Sequence, residues 1–299
     1  MDTSTQNLYL RFMDSVKIRI GGVPEHFNLP IHLAKEQGAF SKRGIDLEWT
    51  DFGGGTGQMT KALRDNEIDV CILLTEGVIA DMINGNPCKI ISEYVLTPLT
   101  WGIHTGVENE LKNYRDIYNK RYAISRFGSG SHLMAIVDAE SAGHKLTKDQ
   151  FNVIKNIDGA LPSLANNETD VFYWEKYTTK PYVDKGDLKR IGEYSTPWPC
   201  FVIAARDEIL EKYPEQVIRM LRIIHDQCDR FMENRDAIAI AANRYGLQMK
   251  DCERWFNSTE WAIHGWVSDK MIENVIYHLK TAEIIENNKE IPELIWKRD

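Results

Sequence analysis

The chain has 299 residues, enough for one large domain or two, and its 43% hydrophobic and 27% charged residues exclude collagen, low-complexity disorder and a disulfide-rich miniprotein. Thirty-six basic against 44 acidic residues give a net charge of -8 with no basic block, so the clustered Lys and Arg that neutralise phosphates are missing and no nucleic-acid partner is expected. Five cysteines, Cys71, Cys88, Cys200, Cys228 and Cys252, contain no CxxC pair, which argues against a disulfide framework and a zinc ribbon.

No run of 18 apolar residues occurs, so no membrane span is expected. The first fifteen residues hold no apolar stretch of seven or more, which places the chain as it stands in the cytoplasm, or in the periplasm if an export signal was removed. Residues 1–13 read as a disordered extension, with Met13 preceding the first good strand.

From there, short apolar runs alternate with helical spacing, the mark of α/β architecture with mainly parallel sheets. Strands are predicted at 16–21, 45–49, 69–74 and 88–95, with helices at 30–40, 56–63 and 76–84 between them. Gly85, Asn86 and Pro87 punctuate the last junction. A second series follows, with strands at 100–104, 121–125, 151–154, 170–173 and 188–191 and helices at 112–118, 131–142 and 160–165. After Pro197-Trp198-Pro199 one more strand is predicted at 201–205, and then only helices, at 214–232, 237–245, 249–256 and 269–285. The middle series is thus inserted into the first. Residues 14–99 and 200–299 form lobe I, residues 100–199 form lobe II, and a ligand cleft is expected between them, where strand ends and helix starts converge.

The ordered motifs are PIHLA at 30–34, Gly38-Ala39-Phe40, Gly44-Ile45-Asp46-Leu47-Glu48, Gly53 to Gly57 with Ala62-Leu63, Asp69-Val70, Gly85-x-Pro87, Ser129-Gly130-Ser131, Asp170-x-x-x-Trp174-Glu175 and Glu211-Lys212-Tyr213-Pro214-Glu215. Over about residues 16–235 this series resembles the type II periplasmic binding-protein fold, in the branch serving sulfonate, nitrate and thiamine-precursor uptake. The opening KIRIGGVPEHFNLPIHLA is similar to a small subgroup of that fold without an export signal. The resemblance implies a monomeric solute-binding protein of the ABC-transporter type, closing two lobes around a small anionic or heteroaromatic ligand, with a transporter permease as a partner.

Candidate ligand residues follow from position. Gly54 and Thr56 precede a helix in lobe I, and Ser129, Ser131 and His132 open one in lobe II, so two helix starts can hold an anion between them; a plain helix cap is the alternative for each. The lobe I run lacks the Gly-Lys-[Ser/Thr] ending of a nucleotide loop. His26, Phe27 and Asn28 follow the first strand, offering a stacking face and a neutral amide, with Phe27 as a packing staple the competing reading. Thr75 and Glu76 hold the analogous place after the third strand, Glu76 being either a helix-start charge or a partner for an amino group. Trp174 and Glu175 are similar to a cleft-lining Trp-Glu-Pro motif of the resembled family, the Pro replaced by Lys176. Trp101 and Trp198 flank the crossovers and read as hinge packing first and as aromatic lids second; Trp198 joins the candidate set.

The eight histidines include no HExxH, and no GxSxG elbow occurs, so neither a metal site, a nucleophile nor a cofactor is expected. The alternative is an enzyme like the thiamine-pyrimidine synthases on this fold. Their pyridoxal-bearing lysine falls on Leu73 and their donor histidine on Gly77, while Pro197-Trp198-Pro199-Cys200-Phe201 keeps one cysteine of their iron motif. That chemistry therefore lacks its reactants. A ligandless signalling or partner protein is the remaining alternative.

Overall fold

A computed structural model of the chain describes residues 15–297; the extension expected at residues 1–13 lies outside them. The strands β1 (Val16–Gly22), β2 (Ile45–Asp51), β3 (Val70–Leu74), β4 (Cys88–Val95) and β10 (Phe201–Arg206) form one sheet in the order β2-β1-β3-β10-β4. A second sheet, in the order β7-β6-β8-β5-β9, is built from β5 (Thr100–Thr105), β6 (Tyr122–Ile124), β7 (Phe151–Val153), β8 (Val171–Glu175) and β9 (Lys189–Ser195). In each sheet four strands run parallel and one, β10 or β5, runs against them. Each reversed strand is the one entered directly after the chain crosses from the other lobe, so it starts at the edge where its neighbours end.

Helices α1 (Leu29–Glu36), α2 (Thr56–Arg64) and α3 (Thr75–Ile83) flank the first sheet, and α4 (Gly130–Ser141), α5 (Ile157–Ala165) and α6 (Lys180–Lys185) the second. The chain ends in α7 (Asp207–Lys212), α8 (Pro214–Glu233), α9 (Ala237–Tyr245), α10 (Met249–Asn257) and α11 (Asp269–Thr281). Val217, Met220, Leu221, Ile224, Cys228 and Phe231 recur at three- and four-residue intervals on α8 and are all buried, a stripe that packs along α1. The five cysteines are buried and unpaired. Among the described residues no helix is long and apolar enough to cross a membrane.

Four elements differ from expectation. The helix predicted at 112–118 is only a turn at Tyr114–Asp116, because the Asn113 side chain accepts from Arg115 N and holds the backbone in a competing local bond. The last helix stops at Thr281 rather than 285, where Glu283 takes a left-handed backbone, φ 56°. The short helices α6 and α7 carry too few turns to show a period.

The two crossovers lie side by side. Thr196 N donates to Leu99 O (3.0 Å), Leu99 N donates to Thr196 Oγ1 (2.9 Å), and Cys200 N donates to Thr97 O (3.2 Å). The connection between the lobes is therefore a hydrogen-bonded ribbon rather than two independent linkers.

Candidate functional site

The parallel strands of both sheets end toward one another, and the loops that follow them line a half-open cavity of about 250 Å³ between the lobes. Scaled from the ~150 Å³ cavity that holds benzene, this admits a ligand of roughly ten non-hydrogen atoms. Most of its wall is apolar, including Met59, Leu74, Leu99, Trp101, Trp174 and Phe201. Trp101 comes from β5 and Trp174 from β8, where alternation puts Trp174 on the same face as Phe172, ring centroids 5.3 Å apart. The Trp101 indole N–H is buried without a protein acceptor.

Two helix starts face the cavity. In lobe I, Gly54 N donates to Gln58 Oε1 (2.9 Å) and Thr56 Oγ1 accepts from Leu74 N (3.2 Å), which ties α2 to the end of β3 and leaves the Thr56 hydroxyl proton available. In lobe II, Ser129 caps α4 by accepting from His132 N (3.4 Å), and Ser131 Oγ accepts from Ser125 N (3.1 Å). Both readings of the sequence coexist here: the serines are caps, and they also line the cavity.

The lobes meet around this space. Arg126 of lobe II donates through Nη1 to Gly54 O (3.4 Å), and Thr178 Oγ1 donates to Glu25 Oε1 (3.5 Å). Ion pairs join Lys180 to Asp251 (3.4 Å) and Lys145 to Glu283 (2.8 Å) farther out. Two glycines make the fit. A Cβ on Gly57 of α2 would lie 2.0 Å from the Arg126 guanidinium, and one on Gly130 of α4 would lie 2.8 Å from Leu74 Cδ1 and 2.7 Å from Trp101 Cη2. Each lobe thus receives a side chain of the other at a helix-start glycine.

Four charged groups line the cavity: Arg126, Lys155, Glu25 and Glu175. Arg126 is half-buried and forms no ion pair among the described residues, and burial lowers its pKa against the charge of Asp81. Glu175 is buried and accepts from Tyr177 N and Thr178 N at 2.6 to 3.0 Å; burial raises its pKa while those N–H groups pull it back. Glu25 is half-buried and keeps part of its surface toward the cavity. Burial first, and the like charge of Glu175 second, push it up to about 8, against the Thr178 hydroxyl bond.

Of the residues singled out in the sequence, Gly54, Thr56, Ser129, Ser131, Trp174 and Glu175 line the cavity and the other seven do not. His26, Phe27 and Asn28 are buried where α10 covers the edge of the sheet: the His26 ring lies 4.2 Å from Trp255, Phe27 5.1 Å from Phe201, and Asn28 Nδ2 donates to Val23 O (2.8 Å). Burial lowers His26 to about 3, so it is a neutral packing residue. Thr75 Oγ1 donates to Pro199 O (2.7 Å) and Trp198 Nε1 donates to Glu76 (2.9 Å), which places Thr75, Glu76 and Trp198 behind the hinge. The His132 ring turns away, accepting from Gly128 N (3.1 Å) and lying 4.6 Å from Phe151.

Glu25, Arg126, Lys155 and Thr178 escaped notice in the sequence. Glu25 precedes the chosen His26, and Arg126 follows a strand predicted to end at Ser125, so the loops were legible and the side-chain directions were not. Lys155 sits at φ 72°, a left-handed position for which its residue type carries no signal.

Two interleaved α/β lobes, a double crossover and a cavity walled by both define the type II periplasmic binding-protein fold. Within the chain, residues 101–194 match the family model described as Ca3427-like PBP. The solved structure of the Candida albicans CA3427 gene product, described as defining a new family with the generic periplasmic binding protein fold, matches with a TM-score of 0.86 and 25% identity, covering 95% of this chain and 98% of that one. The alkanesulfonate-binding protein SsuA from Xanthomonas axonopodis pv. citri, bound to MOPS, matches with a TM-score of 0.77 over 94% of this chain and 98% of its own, at 15% identity, which shows the shared fold alone. A Bacillus subtilis (strain 168) protein described as "Putative aliphatic sulfonates-binding protein" is 23% identical over 252 residues, 81% of this chain and 74% of that one.

Proposed function

We propose that this chain is a solute-binding protein that closes lobe I (15–99 with 200–297) and lobe II (100–199) around a small ligand carrying an anionic group. The observation that carries this reading is a cavity between the lobes onto which two helix starts and an arginine without an ion pair among the described residues open from opposite lobes. An anion there gains the helix dipoles, and Arg126 gains the partner that its partial burial calls for. The names of relatives that bind sulfonates agree with such a ligand. Leu73, at the position of the pyridoxal lysine, is fully buried, and Gly77, at that of the donor histidine, lies against Thr56 Cγ2, so neither brings a reactive group to the cavity. Closure is stabilised only by contacts made in the closed state, so the output is a population shift that a transporter permease reads.

Thermal unfolding against alkyl and aryl sulfonates, nitrate, carboxylates and aminopyrimidines tests the reading. A ligand at 100 times its Kd adds about 2.7 kcal/mol, roughly 5 °C in Tm. Trp174→Ala and Thr56→Ala are expected to weaken that shift at least tenfold in Kd while leaving the fold intact; unchanged affinity in both moves the site elsewhere.

A further inference from the structure

The cavity holds more than an anion site. Glu25 follows β1 in lobe I and Glu175 ends β8 in lobe II, so closing the lobes brings two carboxylates onto one small cavity. Thr178 bridges them, giving its hydroxyl proton to Glu25 and its backbone N–H to Glu175. Glu175 accepts from two backbone N–H groups, that of Tyr177 shared between both its oxygens and that of Thr178 on one, whereas the single long bond from Thr178 leaves Glu25 mostly unsatisfied. Neither carboxylate forms an ion pair among the described residues, although Arg126 and Lys155 line the same cavity. The two signs are therefore held apart, with the rings of Trp101 and Trp174 on the wall.

We propose that the ligand is a zwitterion, its cationic group seated between Glu25 and Glu175 and its anionic group at Arg126 and the start of α4. This rests on the solute-binding reading and adds the second charge. Closing without a cation leaves Glu25 holding its proton beside Glu175, while an ammonium or amidinium between them favours release of that proton to solvent and is then attracted from both lobes. Besides Glu175, His26, Cys200 and Tyr245 lie near Glu25 and are neutral near pH 7, and Arg126 and Lys155 are the cations on the same cavity wall. Glu175 is thus the charge that a cationic head offsets.

Three probes of matched shape test this by calorimetry: 4-(aminomethyl)benzenesulfonate, 4-methylbenzenesulfonate and benzylamine. The zwitterion is expected to bind at least tenfold more tightly than either relative. Glu25→Gln, which keeps the shape, should erase its advantage over 4-methylbenzenesulfonate, and Arg126→Gln should weaken both sulfonates and leave benzylamine unchanged. If 4-methylbenzenesulfonate binds as tightly as the zwitterion to the unmodified protein, or if Glu25→Gln keeps the preference, the cationic subsite is wrong and the solute-binding reading stands. If none of the three binds, both are overturned.

Discussion

Glu25 is the residue at which burial, charge and function meet. Its folded pKa of about 8 lies above the ordinary carboxylate range, so the folded protein holds a proton there that the unfolded chain releases. Stability from this group is complete at acid pH and is lost as pH rises toward 8, by at most about 1.4 kcal/mol per pH unit. The window from pH 7 to 8 is the one in which it dominates. The buried histidines His26, His104 and His132, lowered to about 3, 4 and 4, cost stability only below their ordinary value of 6.5, and Glu76, raised to about 7, is already half titrated at pH 7 and adds the smaller share of the slope. The buried thiols, all raised by burial, add their loss only above about 8.5. The free protein's Tm should fall between pH 7 and 8 and Glu25→Gln should flatten that slope; an unaltered slope in the variant would show that Glu25 ionises normally.

At the scale of elements, α2 and α4 work as a pair because each carries, within its first two residues, a glycine that accepts the other lobe. Gly130→Ala sets a methyl against Leu74 and Trp101, both part of the packed core, so it should hold the lobes apart. A tenfold or greater loss of affinity with unchanged circular dichroism is expected, and a liganded radius of gyration by small-angle scattering that stays near the free value. Gly57→Ala meets only the mobile end of Arg126, so it should move the guanidinium and weaken sulfonates without propping the cleft. Equal scattering profiles for the two variants would refute this distinction. These helix starts were legible in the sequence because Gly-rich runs after strands have a fixed place in an α/β lobe. The misplaced residues show where such reading stops. His26 to Asn28 occupy a ligand-type loop by order, yet α10, more than 220 positions away, packs over them. No local spacing reports that cover, nor does any period show that Trp101 lines the cavity while Trp198 packs behind the hinge.

On the scale of the whole molecule, the ribbon formed by Leu99 and Thr196 restricts closure to a bend about one connection. Thr196 Oγ1 accepts from Leu99 N and donates to Trp198 O (3.0 Å), all in a buried setting. Thr196→Val keeps the shape and strands the Leu99 N–H, and urea unfolding should register a loss of about 1 to 3 kcal/mol; a variant as stable as the parent would mean the hinge is held by packing alone. The same architecture has a consequence for synthesis. The lobe I sheet is left open between β3 and β4 until β10, residues 201–206, is inserted there, whereas every strand of lobe II is contained in residues 100–195. On the ribosome the second lobe has all its strands before the first does, so lobe I waits with an unfilled slot flanked by two apolar strands while its partner matures.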